Sequence, residues 1–302
     1  MATATVSVDA SDRTRGENRL GWYLAGPALA VMVLVTAYPM GRALYLSLYN
    51  YRLTDPNGRS FTGLNNYATV LSDPKWWTDV WTTVMITVVT VAIELVIGFA
   101  FAMVMHRIIF GRGVIRTSIL VPYGIITVVS AFAWQFAFAN DSGFINSWLH
   151  LGTYDWFGGR WAALTVICMS EIWKTTPFMS LLLLAGLAQV SEDMQEAAKV
   201  DGATAWQRLY KVTIPNMRAA IMVAVLFRTL DAYRVFDNVF IMTKGANNTE
   251  TVSMLTYSQM ISRVELGLGS ALSVLLFLSV LLIAFVFIKL FRVDLAQARG
   301  DR

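Results

Sequence analysis

The chain has 302 residues, of which 56% are apolar and 15% charged, with a formal net charge of +4 at pH 7. Soluble domains carry about 45–50% apolar and about 25% charged residues, so the composition argues against a soluble fold and excludes a disordered chain. A single cysteine excludes a disulfide framework, and so small a basic excess does not point to nucleic-acid binding.

Long apolar stretches follow one another along the chain. Four of them hold at most one charged residue over 22 or more residues, which lets a helix cross about 30 Å of hydrocarbon. Two further stretches are apolar but interrupted by charges. We therefore predict an all-α membrane protein with six spans: about 20–44, 81–105, 116–139, 161–187, 217–241 and 267–290.

The fifth span is the least regular, because it carries Arg228, Asp231, Arg234 and Asp237. A re-entrant or peripheral helix is the alternative interpretation of this stretch. Six spans also fit the distribution of basic residues in the loops, and this agreement favours a spanning helix.

Basic residues in the loops predict the orientation. With the N-terminus inside, the cytoplasmic segments hold 14 lysines and arginines and the outer segments hold 6, as the positive-inside rule requires. Residues 1–19 and 291–302 are then cytoplasmic tails. The first span is too long for the core of a signal peptide, so we expect a retained anchor.

Residues 188–216, between the fourth and fifth spans, are too long for a plain connection. Helix-forming residues flank Gly202, which suits a turn with positive φ. Ala197 and Ala198 lack bulk and allow another surface to approach closely, and Pro215 is expected to end the second helix. Two short helices that meet at a bend can dock into a cleft on a partner.

This segment resembles the cytoplasmic loop of ABC importer permeases. The matching residues are Glu196-Ala197-Ala198, then Gly202 after three intervening residues, then residues 212–215 (VTIP). A bare Glu-Ala-Ala would be uninformative, whereas the whole spaced pattern is specific. The resemblance implies coupling to an ATPase through the following residues: Glu196, Ala197, Ala198, Asp201, Gly202 and Pro215.

The remainder of the chain, about residues 20–292, resembles the sugar-importing branch of that family, the maltose and glycerol-phosphate type. The matching segments are residues 38–39 (YP), 63–67 (GLNNY) and 121–123 (VPY). Residues 173–179 (WKTTPFM) and 227–232 (FRTLDA) are most similar to trehalose-importer permeases of mycobacteria and their relatives.

The resemblance implies a six-helix type I permease fold in the inner membrane and a set of partners. These are a second permease, two ATP-binding subunits and an extracytoplasmic sugar-binding protein, with the lipid bilayer as surroundings and no nucleic acid. No G-x-x-x-x-G-K-[ST] motif occurs in the chain. We expect no catalytic residue, metal or cofactor here, and ATP with Mg²⁺ on the partner subunits.

Ionisable residues within the spans are costly unless paired or hydrated, so each is a candidate site residue. Sugars need polar hydrogen-bonding groups beside aromatic rings. The resemblance to maltose-type permeases maps the substrate site to Tyr123, Thr127, Glu171, Lys174, Thr175, Phe178, Leu230, Asp231 and Arg234. Charges replace that relative's amides here. The alternative is that these charges only form ion pairs that hold helices together. Glu171 and Lys174 are three residues apart on one predicted helix and can pair, and the spacing of three places Arg228, Asp231 and Arg234 on one face of the next helix.

Three further questions stay open at the level of sequence. Glu94 either pairs with Arg228 or Arg234 or is protonated, with pairing favoured. The importer's substrate is a disaccharide such as trehalose or, alternatively, glycerol phosphate or another polyol. A rival from a different class is an ion-coupled secondary transporter that uses its buried carboxylates.

Overall fold

The computed structural model describes residues 10–108 and 110–291. The regular secondary structure of this part of the chain is helical apart from one short hairpin. Its helices are α1 Ala10–Ser47, α2 Asn65–Ser72, α3 Pro74–Arg107, α4 Arg112–Gly124, α5 Thr127–Ala137, α6 Phe144–Leu149, α7 Arg160–Leu187, α8 Glu192–Val200, α9 Ala205–Arg208, α10 Ile214–Asn216, α11 Arg218–Ala232, α12 Asp237–Met242, α13 Val252–Tyr257 and α14 Leu266–Phe291. Residues 1–9 and 292–302, which include much of the two predicted tails, lie outside the described residues.

Three helices among the described residues are long and apolar enough to cross a membrane. They lie within α1, α3 and α14. The pair α4 and α5 would make a fourth span, but its two helices meet at a bend of 88°. The chain is therefore a helical, multi-pass membrane protein.

The helix bounds agree with the predicted spans at some places and differ at others. Helices α7 and α14 begin and end within one residue of the predicted fourth and sixth spans. Helix α1 begins at Ala10, ten residues earlier than predicted. The third predicted span is broken between α4 and α5, and the fifth is broken after α11. Uncharged runs predict depth in the membrane but do not mark such breaks.

A two-stranded antiparallel hairpin follows α1, where the sequence predicts only an outer loop. Strand β1 (Tyr49–Arg52) pairs with β2 (Asp55–Phe61), with Tyr49 opposite Phe61. The guanidinium carbon of Arg59 lies 4.5 Å from the centre of the Tyr49 ring, within the range of a cation–π contact. Arg52 forms an ion pair with Glu265, which ties the hairpin to the start of α14.

Helices α3 and α7 form the central pair of the bundle, and α11 packs against both. The buried residues that join these three helices include Val91, Met179, Leu183 and Ala224. Close approach is possible because Gly98 faces α7: an added Cβ there would lie 2.9 Å from Met179 Cγ. The same pair of helices carries the buried polar residues described below.

Candidate functional site

A cavity of about 460 Å³ opens beside α7, where the break between α4 and α5 meets the end of α11. Its lining is mostly polar and comes from three regions of the sequence. The lining residues are Tyr123, Thr127, Glu171, Lys174, Thr175, Arg228, Asp231, Ala232, Arg234, Val235, Phe236 and Asp237. We call this space the cavity.

The break between α4 and α5 shapes one wall. Ile125 and Ile126 both have extended backbone, with ψ of 137° and 132°, so the helix stops at Gly124 and restarts at Thr127. Breaking a helix frees backbone carbonyls from their usual partners. The carbonyl oxygen of Ile125 accepts a hydrogen bond of 2.6 Å from Lys174 Nζ. The break therefore supplies the polar partner of a buried lysine.

Lys174 was predicted to pair with Glu171, three residues earlier on the same helix. No such ion pair is found among the described residues, so that prediction is wrong. Instead, Lys174 donates to Ile125 and its ammonium lies 5.9 Å from the centre of the Tyr123 ring. Tyr123 in turn stacks on Phe178, with ring centres 5.4 Å apart.

Arg228 is the centre of a buried ion cluster. Its side chain is 1% exposed, and its guanidinium grips Glu94 with two hydrogen bonds, Nε to Oε2 at 2.6 Å and Nη2 to Oε1 at 3.1 Å. Nη2 also donates to Glu171 Oε2 at 3.2 Å, and Nη1 donates to Asp231 Oδ2 at 2.6 Å. One cation thus joins carboxylates from three helices. We call these four residues the Arg228 cluster.

Neutral residues complete the hydrogen bonding of the two buried glutamates. Asn238 donates to Glu171 Oε1 at 2.8 Å, and the Thr175 hydroxyl lies 2.8 Å from Glu94 Oε1. Both carboxylate oxygens of Glu94 and of Glu171 therefore accept at least one hydrogen bond. Buried charges are tolerated when they are paired and hydrogen-bonded in this way.

Asp231 differs from the two glutamates in its exposure. Its side chain is 62% exposed and faces the cavity, whereas Glu94 is fully buried. Arg234 lies just beyond the end of α11 and donates from Nε to the carbonyl oxygen of Leu230 at 3.2 Å. The expected alignment of Arg228, Asp231 and Arg234 along one helix therefore ends at Asp231.

The structure brings most of the sequence-predicted site residues to one place. Seven of them line the cavity: Tyr123, Thr127, Glu171, Lys174, Thr175, Asp231 and Arg234. Phe178 and Leu230 are not among the lining residues. Each contacts a residue that is: Phe178 stacks on Tyr123, and the carbonyl oxygen of Leu230 accepts a hydrogen bond from Arg234. The predicted pairing of Glu94 with an arginine is confirmed, and its partner is Arg228.

Sequence reasoning left five lining residues out of the predicted substrate site. Four of them lie at or just beyond the end of α11: Ala232, Val235, Phe236 and Asp237. At the end of α11 the backbone turns through hydrogen bonds from Arg234 N to Asp231 O and from Val235 N to Ala232 O. An early end of the helix brings this segment back toward α7. Arg228 was also left out, although its spacing of three from Asp231 was a usable signal.

Residues 188–216 form the predicted bend, and we call them the 188–216 segment. Helix α8 contains Glu196, Ala197 and Ala198, Asp201 follows its end, and Gly202 has a φ of +78°. The Ala203 amide donates to the carbonyl oxygen of Ala198 at 2.9 Å, which closes the helix end.

The second half of the segment begins with a reciprocal cap. The Thr204 hydroxyl accepts from the Gln207 amide at 3.3 Å, and the Gln207 side chain accepts from the Thr204 amide at 2.7 Å. A π-helical turn over Leu209–Thr213 then leads into α10. Pro215 was expected to end the second helix of the segment, but it lies in the first turn of α10. Proline is tolerated there because a backbone N–H in the first turn has no partner within the helix.

Much of the surface of the 188–216 segment is exposed, and it includes both polar and large apolar side chains. Glu196, Ala197 and Gly202 are exposed, and so are the large apolar side chains of Val200 and Trp206, at 87% and 69%. A second cavity of about 500 Å³ separates the segment from the end of α3, with Glu196 on one wall and His106 and Arg107 on the other.

Together, these features define a class of protein: a helical membrane protein with a polar cavity between its helices and an exposed, bent segment outside them. Residues 94–293 match the family described as the inner membrane component of binding-protein-dependent transport systems. The chain belongs to this family.

Several relatives are similar over nearly the whole chain. The trehalose transport system permease protein SugA of Mycobacterium tuberculosis is 50% identical, with 96% of this chain and 94% of the relative covered. The trehalose/maltose transport system permease protein MalF of Thermococcus litoralis is 34% identical, with coverages of 91% and 95%. The sulfoquinovosyl glycerol permease protein SmoG of Agrobacterium fabrum is 32% identical, with 92% of each chain covered.

Solved structures share the fold at low sequence identity. A chain of a bacterial ABC transporter that imports the acidic polysaccharide alginate superposes with a TM-score of 0.78 at 18% identity, covering 96% of this chain and all of that one. The same kind of transporter in complex with a pentasaccharide-bound periplasmic protein gives 0.79 at 17% identity, with coverages of 93% and 96%. These likenesses establish the fold of an ABC importer permease.

Proposed function

We propose that this chain is the permease subunit of an ATP-driven, binding-protein-dependent sugar importer whose substrate is a disaccharide such as trehalose. The similarity to SugA, at 50% identity over 96% of the chain, supports the substrate. The observation that carries the proposal is the cavity, which places charged hydrogen-bonding side chains beside the Tyr123 ring. A sugar offers hydroxyls to such groups and apolar ring faces to the aromatic side chain.

The charges around the cavity favour a neutral substrate over glycerol phosphate. Three lining residues are basic and three are acidic: Lys174, Arg228 and Arg234 against Glu171, Asp231 and Asp237. Arg228 already forms ion pairs with three carboxylates of the chain, and Lys174 donates a hydrogen bond to the carbonyl oxygen of Ile125. A phosphate would find no surplus of cations, whereas sugar hydroxyls can both donate to carboxylates and accept from Arg234.

In the membrane we propose six spans, formed by α1, α3, the bent pair α4 and α5, α7, α11 and α14, with both termini in the cytoplasm. The loop distribution of lysine and arginine supports this topology. Helix α11, with 15 residues, is short for a complete span and would be extended by the residues on either side of it.

The 188–216 segment would be the contact with the motor. We propose that it docks on one of two ATP-binding subunits, which hold ATP and Mg²⁺, while a second permease completes the translocation path and an extracytoplasmic protein delivers the sugar. Glu196, Ala197, Ala198, Asp201, Gly202 and Pro215 form or support this contact. The exposure of Val200 and Trp206 supports a docking surface.

The test is to purify the chain from its native membrane in mild detergent and identify what comes with it. We expect a second permease and an ATPase, and we expect trehalose with the binding protein to stimulate ATP hydrolysis by the reconstituted complex. Uptake that proceeds with this chain alone and follows a proton or sodium gradient would contradict the proposal and favour a secondary transporter. Stimulation by glycerol phosphate alone would overturn the choice of substrate.

A further inference from the structure

Glu94 is fully buried on α3, does not line the cavity, and yet is bound to a residue that does. Its two hydrogen bonds with Arg228 form a bidentate pair, which adds both strength and geometric specificity to the contact of guanidinium and carboxylate. Such a pair fixes the position of the guanidinium, and thereby the positions of the other carboxylates that it binds, those of Glu171 and Asp231.

The donors of Arg228 can be counted. Of five N–H groups, one on Nε and one on Nη2 go to Glu94, the other on Nη2 goes to Glu171, and one on Nη1 goes to Asp231. The bond to Asp231 therefore comes from a cation whose orientation is set by two buried glutamates. Asp231 Oδ2 is occupied, whereas Oδ1 has no hydrogen-bond partner among the described residues, on a side chain that is 62% exposed and lines the cavity.

We infer that Glu94 and Arg228 are positioning residues, which set the selectivity of the cavity among sugar hydroxyls by holding the Asp231 carboxylate in one orientation. This inference rests on the proposed function, because it concerns how the sugar is recognised. Asp231 accepts a substrate hydroxyl through Oδ1. Glu94 also balances the charge of Arg228, so that the guanidinium does not draw Asp231 out of reach.

Selectivity is the quantity that separates positioning from mere stability. A site built to hydrogen-bond a hydroxyl discriminates against the analogue that lacks it, whereas a loosened helix bundle slows all substrates together. The experiment uses the complete complex, with both permeases, the ATPase subunits and the binding protein, in proteoliposomes. It measures ATP-driven uptake of trehalose and of each monodeoxy trehalose, with the sugars carried in as complexes with saturating binding protein.

The Asp231→Ala variant identifies the substrate hydroxyl that Asp231 binds. It is the hydroxyl whose removal slows uptake by the wild-type complex but not by the Asp231→Ala complex. We expect the wild-type complex to transport this analogue roughly tenfold more slowly than trehalose or worse. In Glu94→Gln, which keeps the size of the side chain and removes its charge, we expect that ratio to fall by about threefold or more, while ATP hydrolysis stimulated by the binding protein continues. Glu250→Gln is the matched control, since Glu250 pairs with Lys75 outside the cavity, and we expect its ratio to be that of the wild type.

A Glu94→Gln complex that slows trehalose and the analogue equally, with an unchanged ratio, would overturn the inference. So would the absence of any analogue whose relative rate depends on Asp231. If Glu94→Gln does not assemble, Glu94→Asp keeps the charge but shortens the side chain, and its ratio should lie between those of wild type and Asp231→Ala. A wild-type ratio in that variant would also refute the inference. Failure of the wild-type complex to transport any disaccharide would instead refute the proposed function, and the inference with it.

Discussion

The Arg228 cluster and the 188–216 segment place their charged and apolar groups in opposite ways. In the cluster, Arg228, Glu94 and Glu171 are buried, and every charged side chain has partners within the chain. In the segment, charged residues such as Glu196 are in the open, and so are large apolar ones such as Trp206. The ion pairs of the cluster form within the single chain, whereas the exposed side chains of the segment can contact another protein. The variants below should therefore affect folding in one region and coupling in the other.

The largest effect is expected from Arg228→Met. The substitution leaves Glu94 and Glu171 buried without their cation, and removal of one partner of a buried ion pair is destabilising by roughly 3–5 kcal/mol. We expect loss of monodisperse protein in size-exclusion chromatography and a lower melting temperature. Arg234→Met is the control, because Arg234 is exposed, and it should assemble normally. Equal stability of the two variants would mean that the cluster does not hold the helices together.

Next in size is Glu196→Lys in the 188–216 segment. It reverses a charge at the centre of the proposed docking surface, where single substitutions can remove about 2 kcal/mol or more of binding energy. We expect normal membrane insertion and a loss of sugar-stimulated ATP hydrolysis of roughly thirtyfold or more. Asp193→Lys, in the first turn of the same helix, serves as the comparison. Unchanged uptake and assembly in Glu196→Lys would remove the segment from the coupling pathway.

A smaller effect is expected in the cavity from Asp231→Ala or Arg234→Ala. Each removes a charged hydrogen-bonding group, worth about 1.5–3 kcal/mol to a bound ligand, while the helices keep their packing. Uptake should fall by about tenfold or more although the complex still assembles. Asp141→Ala, an exposed carboxylate outside the cavity, should leave uptake unchanged. Normal transport in both cavity variants would assign these residues to helix pairing alone.

The smallest effect concerns the packing of α3 on α7. In Gly98→Ala the new methyl group would lie 2.9 Å from Met179 Cγ and 3.3 Å from the backbone nitrogen of Ser180. Because the methionine side chain can shift, we expect destabilisation of about 1 kcal/mol, at the lower end for an overpacked core. Gly113→Ala, with no atom within 4 Å of the added Cβ, should not lower the melting temperature. A similar melting temperature for both would show slack between the two helices.

The sequence predicted the fold where a single physical signal decides it. Lengths of apolar runs placed α7 and α14 within a residue, and the spacing around Gly202 predicted the bend of the 188–216 segment. The break at Ile125 and Ile126 was missed because both residues are apolar, and hydropathy does not distinguish an extended apolar residue from a helical one. The β1–β2 hairpin was missed because its strands are short and polar.

The candidate site was predictable in its members but not in its bonds. Charges inside apolar runs pointed to Glu171, Lys174, Asp231 and Arg234, since such charges are rarely accidental. The choice of Arg228 as the partner of Glu94 depends on contacts across 134 positions of the chain. A spacing rule within one helix predicted Glu171 with Lys174, but the carbonyl freed at the helix break offered the lysine a different partner.

That freed carbonyl has a consequence for the opposite wall. A lysine inside a membrane ordinarily claims an aspartate or glutamate as its counter-ion. Here the peptide dipole of Ile125 and the electron-rich face of Tyr123 take that part. Within the part of the chain that the structure describes, no acidic side chain pairs with this ammonium group, and Asp231 Oδ1 stays available to an incoming hydroxyl. A kink in one helix thus keeps an acceptor free on another.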